Sequence, residues 1–267
     1  MEKIADYTLL EPLGSGNHGE FWLARPPARL AFEDGQLVAL KVLGAHHSEN
    51  DFRRMANELR VYAAAESTQL VPILEAGQQS GRLFYSTPYF ADGSLAQPAR
   101  PLDQRTIMSV LADAGEACHA LHEAGVAHRD VKPGNILLHG ARGLLGDLGL
   151  AQLLHPGQTA TGLGPVGTVQ FIAPEVVRGD PSSRASDIWS FGVTVHVALT
   201  GRPVFDQFEG KDVLEALRTI LTAAPSFDDR LPPAVRPIVE RCVAREPSER
   251  YPTAKAFAMA LRESVKQ

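Results

Sequence analysis

The sequence predicts an α+β protein with two lobes, in which an antiparallel β-sheet precedes a mostly helical region. Residues 1–87 contain apolar and β-branched runs separated by glycine and proline, which is typical of strands joined by turns. Beyond residue 93, longer segments repeat their apolar residues at the spacing of amphipathic helices. The pattern changes at residues 88–92, which we interpret as a hinge. We therefore expect a single domain over 1–267, with a small lobe at 1–87 and a large lobe at 93–267.

The small lobe is predicted to hold a sheet and one helix. Residues 48–66 have the composition of a helix, with Ser48 as its N-cap. The last two predicted strands are joined by the sequence "QQSG", which makes them a hairpin candidate. The strands, each an apolar run, are predicted at 7–14, 20–27, 36–44, 70–77 and 82–90.

The large lobe is predicted to begin with a long amphipathic helix at 103–124, which Gly125 ends. Two short strands, 135–139 and 143–147, then flank a turn. Residues 151–170 are rich in glycine, threonine and proline, and a loop of this length in a compact domain is usually functional or disordered. Further helices are predicted at 185–199, 211–222, 232–244 and 253–265.

Composition excludes several classes of protein. A chain of 267 residues with 44% hydrophobic and 21% charged residues is ordinary for a globular protein, and its net charge of −5 argues against a nucleic-acid partner. Cys118 and Cys242 match no disulfide or zinc spacing, which indicates a reducing compartment. The longest apolar stretch, 188–199, is too short for a membrane span, and residues 1–8 do not resemble a signal peptide. We expect a cytoplasmic protein without a membrane segment; the chain leaves open whether it is part of a longer one.

A glycine-rich segment, Gly14-x-Gly16-x-x-Gly19, has the spacing of a phosphate-binding loop. Dinucleotide-binding oxidoreductases and protein kinases both use this spacing, and a hairpin without a ligand is a third interpretation. In the dinucleotide-binding fold the third glycine opens a helix. Here Phe21 and Trp22 follow, and two prolines come soon after, which favours a strand. The pattern therefore indicates a turn between two strands and disfavours the oxidoreductase.

Four further motifs give this segment its context. The sequence "VALK" (38–41) lies in an apolar run, "HRDVKPGN" (128–135) follows the long helix, "DLG" (147–149) follows the second short strand, and "APE" (173–175) follows the long loop. In this order, and together with the glycine loop, they resemble the eukaryotic-type (Hanks-type) protein kinase family over nearly the whole chain. Leu148 is a departure, since that family usually has phenylalanine in this position.

The resemblance implies a bilobal kinase fold in which ATP binds in the cleft together with Mg²⁺ or Mn²⁺. Lys41 would bind the α- and β-phosphates, and a carboxylate from the helix at 48–66 would hold its ammonium group. Glu58 is the expected partner because it lies in the middle of that helix, whereas Glu49 and Glu66 lie at its ends. An exposed helix face is the alternative for Glu58.

The resemblance also implies which residues carry the chemistry. Asp130 would orient the substrate hydroxyl and accept its proton, and Lys132 would stabilise the charge on the transferring phosphoryl group. Asn135 and Asp147 would bind the metal ion, and oxygen ligands of this kind suit Mg²⁺.

The predicted nucleotide site extends to the hinge. There, Thr87 would be the gatekeeper, Pro88 would offer its carbonyl, and Phe90 would offer both its N–H and its C=O to the adenine edge. Phe21 stands where the family usually places a valine against the adenine ring. The residues that the resemblance assigns to ATP binding are Leu13, Gly14, Gly16, Gly19, Phe21, Ala39, Lys41, Glu58, Thr87, Pro88, Phe90, Leu137 and Asp147.

Other matched positions are expected to be structural. By resemblance, Glu175 would pair with Arg250, and Asp187 would brace the catalytic loop, residues 128–135, from a buried helix. Loss of either charge would leave its buried partner unpaired. His122 and His128 are expected to be packed core residues rather than bases.

The resemblance also indicates the substrate class. Lys132 and Thr168 match serine/threonine kinases, and a complete activation segment ending in "APE" argues against a small-molecule kinase. Thr159 and Thr161 resemble the autophosphorylated pair of bacterial kinases, and phosphate there would bind Arg129 and order the loop. A polar loop without phosphorylation is the alternative.

Protein substrates and ATP are therefore the expected partners, with no nucleic acid, and the resemblance is compatible with a homodimer through the small lobe. The composition and the Thr-x-Thr pair favour a bacterial source. The main alternative is a pseudokinase or scaffold that binds nucleotide or partners without efficient catalysis. The intact Lys41, Asp130, Asn135 and Asp147 argue against it.

Overall fold

The computed structural model describes residues 2–16, 19–30, 32, 35–43, 48–148, 166–205 and 212–266. Its first part is a six-stranded antiparallel sheet, which confirms the predicted α+β class. The strands are β1 (Lys3–Ile4), β2 (Tyr7–Gly16), β3 (Gly19–Arg25), β4 (Val38–Val42), β5 (Glu75–Gln79) and β6 (Arg82–Pro88). Their spatial order is β1-β2-β3-β4-β6-β5, so that β4 lies between β3 and β6.

The β2–β3 hairpin depends on glycine at its turn. Gly16 pairs with Gly19 across the turn, and Gly19 has a φ of 134°. A Cβ atom on Gly19 would lie 2.1 Å from the carbonyl oxygen of Val42, so that only glycine fits where β3 passes β4. A strand follows Gly19, which confirms the predicted glycine-rich turn between two strands.

The β5–β6 hairpin is shorter than predicted. β5 begins at Glu75 rather than at Leu70, and the turn Ser80–Gly81 has positive φ at both positions. Leu70 is buried, but it forms an isolated bridge with Leu145 in the second part of the chain. The Val71 N–H likewise donates to the Leu145 carbonyl, at 2.9 Å. Pairing with β6 begins only at the Leu74 N–H, which donates to the Ser86 carbonyl at 2.9 Å. The start of this apolar run therefore contacts the helical part, and only its end joins the sheet.

Helix α1 (Glu49–Ala64) begins with a capping box. The Asp51 N–H donates to Ser48 Oγ at 3.2 Å, and the Ser48 N–H donates to Asp51 Oδ2 at 2.9 Å. These bonds satisfy backbone groups that the first turn of a helix leaves unpaired, and they confirm Ser48 as the N-cap. The buried residues of this helix are Met55, Leu59 and Tyr62.

The second part of the chain is mostly helical. Helix α2 (Gln104–Glu123) confirms the predicted long amphipathic helix, and β7 (Ile136–His139) and β8 (Arg142–Leu145) form a two-stranded sheet that contacts it. The later helices are α3 (Val166–Val169), α4 (Pro174–Val177), α5 (Arg184–Thr200), α6 (Val213–Thr222), α7 (Arg236–Cys242) and α8 (Ala254–Ser264). Helix α3 begins within the predicted loop 151–170, of which residues 151–165 lie outside the described residues.

One hydrophobic core joins the two parts. It includes Met55 from α1 and Leu83 from β6, together with Leu111, Phe191 and Phe257 from the helical part. The apolar stretch at 188–199 belongs to α5, the interior helix that contributes Phe191. In the described part of the chain, no helix combines the length and the apolar character needed to cross a bilayer.

Candidate active site

A row of side chains across three strands forms one wall of the site. Phe21 on β3 lies opposite Lys41 on β4, and Lys41 lies opposite Tyr85 on β6. Directly opposed residues project from the same face of a sheet, so the two aromatic rings flank the lysine. Lys41 Nζ lies 4.9 Å from the ring centroid of Phe21 and 5.8 Å from that of Tyr85. Both distances are within the range of cation–π attraction.

A neighbouring row completes this face of the sheet. Ala39 on β4 lies opposite Thr87 on β6. Because Ala39 lies two residues before Lys41, and Thr87 two residues after Tyr85, all four side chains face the same side. The register thus brings predicted nucleotide-binding residues from separate strands onto one surface.

Lys41 forms its ion pair with Asp147, which follows β8. Only 7% of the lysine side chain and 15% of the aspartate side chain are exposed, and a buried ammonium group requires such a counter-charge. Burial alone would raise the pKa of Asp147. The charge of Lys41, together with the hydrogen bonds from Lys41 and Tyr85, outweighs burial and holds that pKa below its usual value. Asp147 is therefore a carboxylate at neutral pH.

Tyr85 is a site residue that the sequence patterns did not single out. Its hydroxyl donates to Asp147 Oδ1 at 2.7 Å. Burial, followed by the nearby negative charge of Asp147, raises the pKa of Tyr85 well above its usual value, so that the phenol stays protonated. The available signal was a hydroxyl-bearing residue in the apolar run of β6, two positions before Thr87, because a buried tyrosine hydroxyl usually needs a partner.

In the described part of the chain no ion pair joins Glu58 to Lys41, contrary to expectation. Glu58 Oε1 instead accepts a hydrogen bond from Arg129 Nη2 at 3.4 Å. Asp147 already neutralises the ammonium group of Lys41, and a second carboxylate at that site would be an uncompensated buried charge. The other oxygen of Glu58, Oε2, is buried and has no hydrogen-bond partner among the described residues.

The catalytic loop gathers three predicted residues. Lys132 Nζ lies 2.8 Å from Oδ2 of Asp130 and 3.0 Å from Oδ1. The side-chain amide nitrogen of Asn135 donates to the Asp130 backbone carbonyl at 2.7 Å and to Asp130 Oδ2 at 2.9 Å. A single turn of 3₁₀ helix, Pro133–Asn135, brings Asn135 back towards Asp130. The loop therefore places one cation and one amide within hydrogen-bond distance of the same carboxylate.

Asp187 on α5 accepts hydrogen bonds from the backbone of the catalytic loop, as expected. It accepts the backbone N–H of His128 at 2.7 Å and that of Arg129 at 2.9 Å, and it lies 2.8 Å from His122 Nε2. Arg129 has a φ of 72°, a conformation that needs such support. Burial would raise the pKa of Asp187, but the hydrogen bond from His122 and the nearby donors outweigh it and lower the pKa.

Cys118 also contacts Asp187 and His122: its Sγ atom lies 3.3 Å from His122 Nε2 and 3.7 Å from Asp187 Oδ2. These three side chains have separations that could suit a metal ion. However, the Asp187 oxygens already accept two backbone N–H groups as well as the His122 contact, and burial raises the pKa of the Cys118 thiol well above its usual value. A metal needs a thiolate and free carboxylate electron pairs, so we assign the cluster a structural role.

Glu175 on α4 and Arg250 form the expected buried pair. Arg250 donates to both carboxylate oxygens of Glu175, at 2.6 Å and 2.9 Å, and its side chain is fully buried. It also donates to the backbone carbonyls of Ala185, Ala244 and Arg245. The pair therefore joins the end of the activation segment to the helical part.

The predicted hinge residues follow β6 in the chain. The Pro88 carbonyl accepts the Thr87 hydroxyl at 3.3 Å, and the Phe90 carbonyl accepts the Gly93 N–H at 3.1 Å. The Phe90 carbonyl, which was expected to face adenine, is thus already used in a backbone turn. A cavity of about 390 Å³ borders the hinge, and among the described residues Pro88 is the only predicted nucleotide residue in its lining.

The remaining predicted residues are placed as follows. Leu13 is exposed on β2, and Gly14 lies opposite Phe21. Leu137 on β7 is half-buried. Thr168 lies in α3. The phosphorylation candidates Thr159 and Thr161 lie outside the described residues.

Comparison with known protein families and sequences shows which proteins this chain is related to. The family described as the protein kinase domain matches residues 7–261. A serine/threonine-protein kinase of Mycobacterium tuberculosis, PknK, is 34% identical over 97% of the present chain. PknJ of Mycobacterium bovis is 34% identical over 96% of the chain, and PkaA of Streptomyces coelicolor is 33% identical over 96%; both are also named serine/threonine-protein kinases. The chain spans 24%, 45% and 49% of the lengths of these three relatives.

Solved structures agree in fold. The kinase domain of Mycobacterium tuberculosis PknI superimposes with a TM-score of 0.70 at 23% identity, covering 98% of this chain and 97% of that one. A second structure, of a point mutant of the same PknI kinase domain, gives a TM-score of 0.69 at 24% identity, with the same coverage. At this identity the likeness shows the fold alone. The expected eukaryotic-type kinase resemblance, with bacterial relatives, is confirmed, and this chain belongs to the protein kinase family.

Proposed function

We propose that this domain transfers the γ-phosphoryl group of Mg-ATP to serine and threonine hydroxyls of proteins. The observation that carries the proposal is the cluster on the catalytic loop, where Lys132 and Asn135 both contact the Asp130 carboxylate. Phosphoryl transfer requires positioning and charge neutralisation rather than covalent catalysis. A base, a cation and an amide held together in this way match that requirement.

The chain's own residues fit a divalent cation. The amide nitrogen of Asn135 is bonded to Asp130, which leaves the amide oxygen as a ligand. Asp147 is ionised, and both its bond from Tyr85 and its ion pair with Lys41 use Oδ1. Two oxygen donors, completed by phosphate oxygens and water, suit Mg²⁺ or Mn²⁺. When bound, the ion would neutralise phosphate charge; Asn135 and Asp147 would hold it.

The remaining roles follow from charge and position. Asp130 would accept the proton of the substrate hydroxyl, and Lys132 beside it would stabilise the charge of the transferring group. Lys41 would bind phosphate oxygens of the nucleotide. Its ammonium group is engaged by Asp147 in this structure, so the nucleotide must share Lys41 with that carboxylate.

The same proposal includes serine and threonine as acceptors, proteins as the substrate class and the cytoplasm as the compartment. The named relatives support the first two, since they are serine/threonine-protein kinases. The need for ATP supports the cytoplasm as the compartment, and so do the two buried cysteines, which form no disulfide. A homodimer through the small lobe is a further proposal from family resemblance, which sedimentation velocity would test.

Transfer of label from radiolabelled ATP to a generic protein substrate tests the proposal. We expect label on serine and threonine in the presence of Mg²⁺, and a loss of about 100-fold or more in Asp130→Asn. Labelling that is unaffected by Asp130→Asn would overturn the catalytic assignment. Label on tyrosine alone would overturn the substrate class.

One observation favours the alternative of a domain that binds nucleotide without efficient transfer. Glu58 pairs with Arg129, and Lys41 has Asp147 as its only carboxylate partner among the described residues. The same assay separates the two functions, because the alternative predicts nucleotide binding with no label transferred by the wild-type chain.

A further inference from the structure

Tyr85 occupies a position in the site that no sequence motif explains. It lies directly opposite Lys41 in the β4–β6 register, and only 2% of its surface is exposed. Its hydroxyl reaches across the site to Asp147 Oδ1 at 2.7 Å, a contact between residues 62 positions apart. The hydroxyl of this buried phenol therefore bonds to the carboxylate that is predicted to bind the metal ion.

The direction of this hydrogen bond is determined by the two groups. An ionised carboxylate has only acceptor sites, and a phenol keeps its proton at neutral pH because its usual pKa is about 10. Tyr85 is therefore the donor. Hydrogen bonds to an ionised acceptor are shorter and stronger than those between neutral groups.

Two donors converge on the same oxygen. Lys41 and Tyr85 both contact Oδ1 of Asp147. The other oxygen, Oδ2, has no hydrogen bond from the described residues. A carboxylate held at one oxygen by two donors from different strands cannot rotate freely, so its second oxygen keeps one direction.

Lys41 and Tyr85 should respond differently to nucleotide binding, because one is charged and the other is neutral. Lys41 is a cation and would be drawn to phosphate oxygens. Tyr85 is neutral and lies in a buried position on β6, so phosphate does not compete for it by charge. Its bond to Asp147 is therefore the one that can persist in the nucleotide complex.

We propose that Tyr85 is a positioning residue for the metal ion: its hydroxyl fixes Asp147 so that Oδ2 faces the cation. The proposal rests on the proposed function, because Asp147 must be a metal ligand for it to apply. Groups that hydrogen-bond to metal-binding carboxylates typically change metal affinity by about 10- to 100-fold when they are removed.

The test is Tyr85→Phe, which removes the hydroxyl and keeps the ring. Mn²⁺ binding is measured by electron paramagnetic resonance of the free ion, with the chain and a non-hydrolysable ATP analogue at equal concentrations, and the analogue without the chain gives the baseline because its phosphates bind Mn²⁺ themselves. We expect Mn²⁺ to bind about 10-fold more weakly than to the wild type. In the kinase assay, the Mg²⁺ concentration for half-maximal rate should rise by a similar factor, while kcat at saturating Mg²⁺ changes much less.

Tyr62 offers a matched control. It is equally buried, and its hydroxyl donates to the backbone carbonyls of Val71 and Leu145 at 2.8 Å and 3.1 Å rather than to Asp147. Tyr62→Phe therefore removes a buried phenol hydroxyl without touching the carboxylate. We expect it to lower stability but to leave Mn²⁺ affinity unchanged.

The outcomes are distinct. If the wild-type chain adds no Mn²⁺ binding to that of the analogue alone, the proposed function fails. If the wild type binds Mn²⁺ and Tyr85→Phe binds it within twofold of Tyr62→Phe, this inference alone is overturned. Should Tyr85→Phe not fold, Tyr85→Leu supplies a second hydroxyl-free variant in the same apolar surroundings, and the same loss of Mn²⁺ affinity is expected of it.

Discussion

Arg129 Nη2 lies 3.4 Å from Glu58 Oε1, and this contact joins the catalytic loop to helix α1. At the same time Lys41 pairs with Asp147. Two acids and two bases thus form two ion pairs, and the pair between Lys41 and Glu58 that the kinase resemblance implies is not among them. Arg129 engages only Oε1 of Glu58, and Oε2, which has no hydrogen-bond partner among the described residues, is the oxygen left for a contact with Lys41.

The first prediction concerns Glu58 in the nucleotide complex. When phosphate draws Lys41 away from Asp147, Glu58 would be the carboxylate that orients the ammonium group of Lys41. Glu58→Gln should therefore lower kcat/KM for ATP by about 10- to 100-fold. The free energy of unfolding should fall as well, by about 1–3 kcal/mol, because only 19% of the Arg129 side chain and 17% of the Glu58 side chain are exposed. Steady-state kinetics and urea unfolding measure the two effects.

Glu49→Gln is the control for Glu58→Gln, because Glu49 lies on the same helix and is 72% exposed in its contact with Arg53. Equal activity of the two variants would show that Glu58 does not act through Lys41.

The second prediction concerns Thr159 and Thr161, which lie outside the described residues. Incubation with Mg-ATP should place phosphate on one or both, and mass spectrometry would locate it. Such a phosphate would compete with Glu58 for Arg129, since two anions would share one guanidinium. We therefore expect the phosphorylated chain to have a higher kcat/KM than the unphosphorylated one. Absence of phosphate at both threonines would contradict the prediction.

The third prediction concerns Phe21, whose ring lies 4.9 Å from the ammonium group of Lys41. A cation–π contact at a partly exposed site is worth about 0.5–1 kcal/mol, so Phe21→Val should change nucleotide affinity by less than about fivefold. Isothermal titration with a non-hydrolysable ATP analogue measures this. Complete loss of binding would mean that the nucleotide pocket is assigned wrongly.

The fourth prediction concerns the pair of Glu175 and Arg250. Because Arg250 is fully buried, Glu175→Gln should lower the free energy of unfolding by about 3–5 kcal/mol, the usual cost of leaving a buried charge without its partner. Glu123→Gln is the control, since Glu123 pairs with Arg184 at a similar distance but is 61% exposed. Urea unfolding of both variants should show a large change only in the first.

The fifth prediction concerns pH. The pKa of Asp187 is lowered in the folded chain, so its contribution to stability is present above its unfolded pKa of about 4 and is lost as the pH falls through the folded value. Asp187→Asn should therefore be less stable at pH 7, by about 1–3 kcal/mol, and the difference from the wild type should narrow below about pH 4.

Thermal unfolding across this pH range measures the difference for Asp187→Asn. Asp229→Asn, which alters a fully exposed side chain, should follow the wild type throughout. A gap between Asp187→Asn and the wild type that stays constant down to about pH 3 would contradict the assignment of that pKa to Asp187.

Local patterns predicted the parts of this molecule that depend on neighbours in the chain. Ser48 caps α1 through Asp51, three residues away. Lys132 and Asn135 reach Asp130 within five residues, through a single turn that contains Pro133. Leu70 shows the limit of such patterns: its apolar surroundings predicted burial correctly, but they did not predict whether the partner would be the sheet or the helical part.

Residue types at short, regular spacings were enough to predict the family, the succession of strands and helices along the chain and the residues of the catalytic loop. Packing between distant segments establishes that Lys41 pairs with Asp147, that Glu58 pairs with Arg129 and that Tyr85 donates to Asp147. These contacts join residues 106, 71 and 62 positions apart. Several acids could neutralise the same buried cation, and which one does so depends on distances that only the packed strands and helices fix.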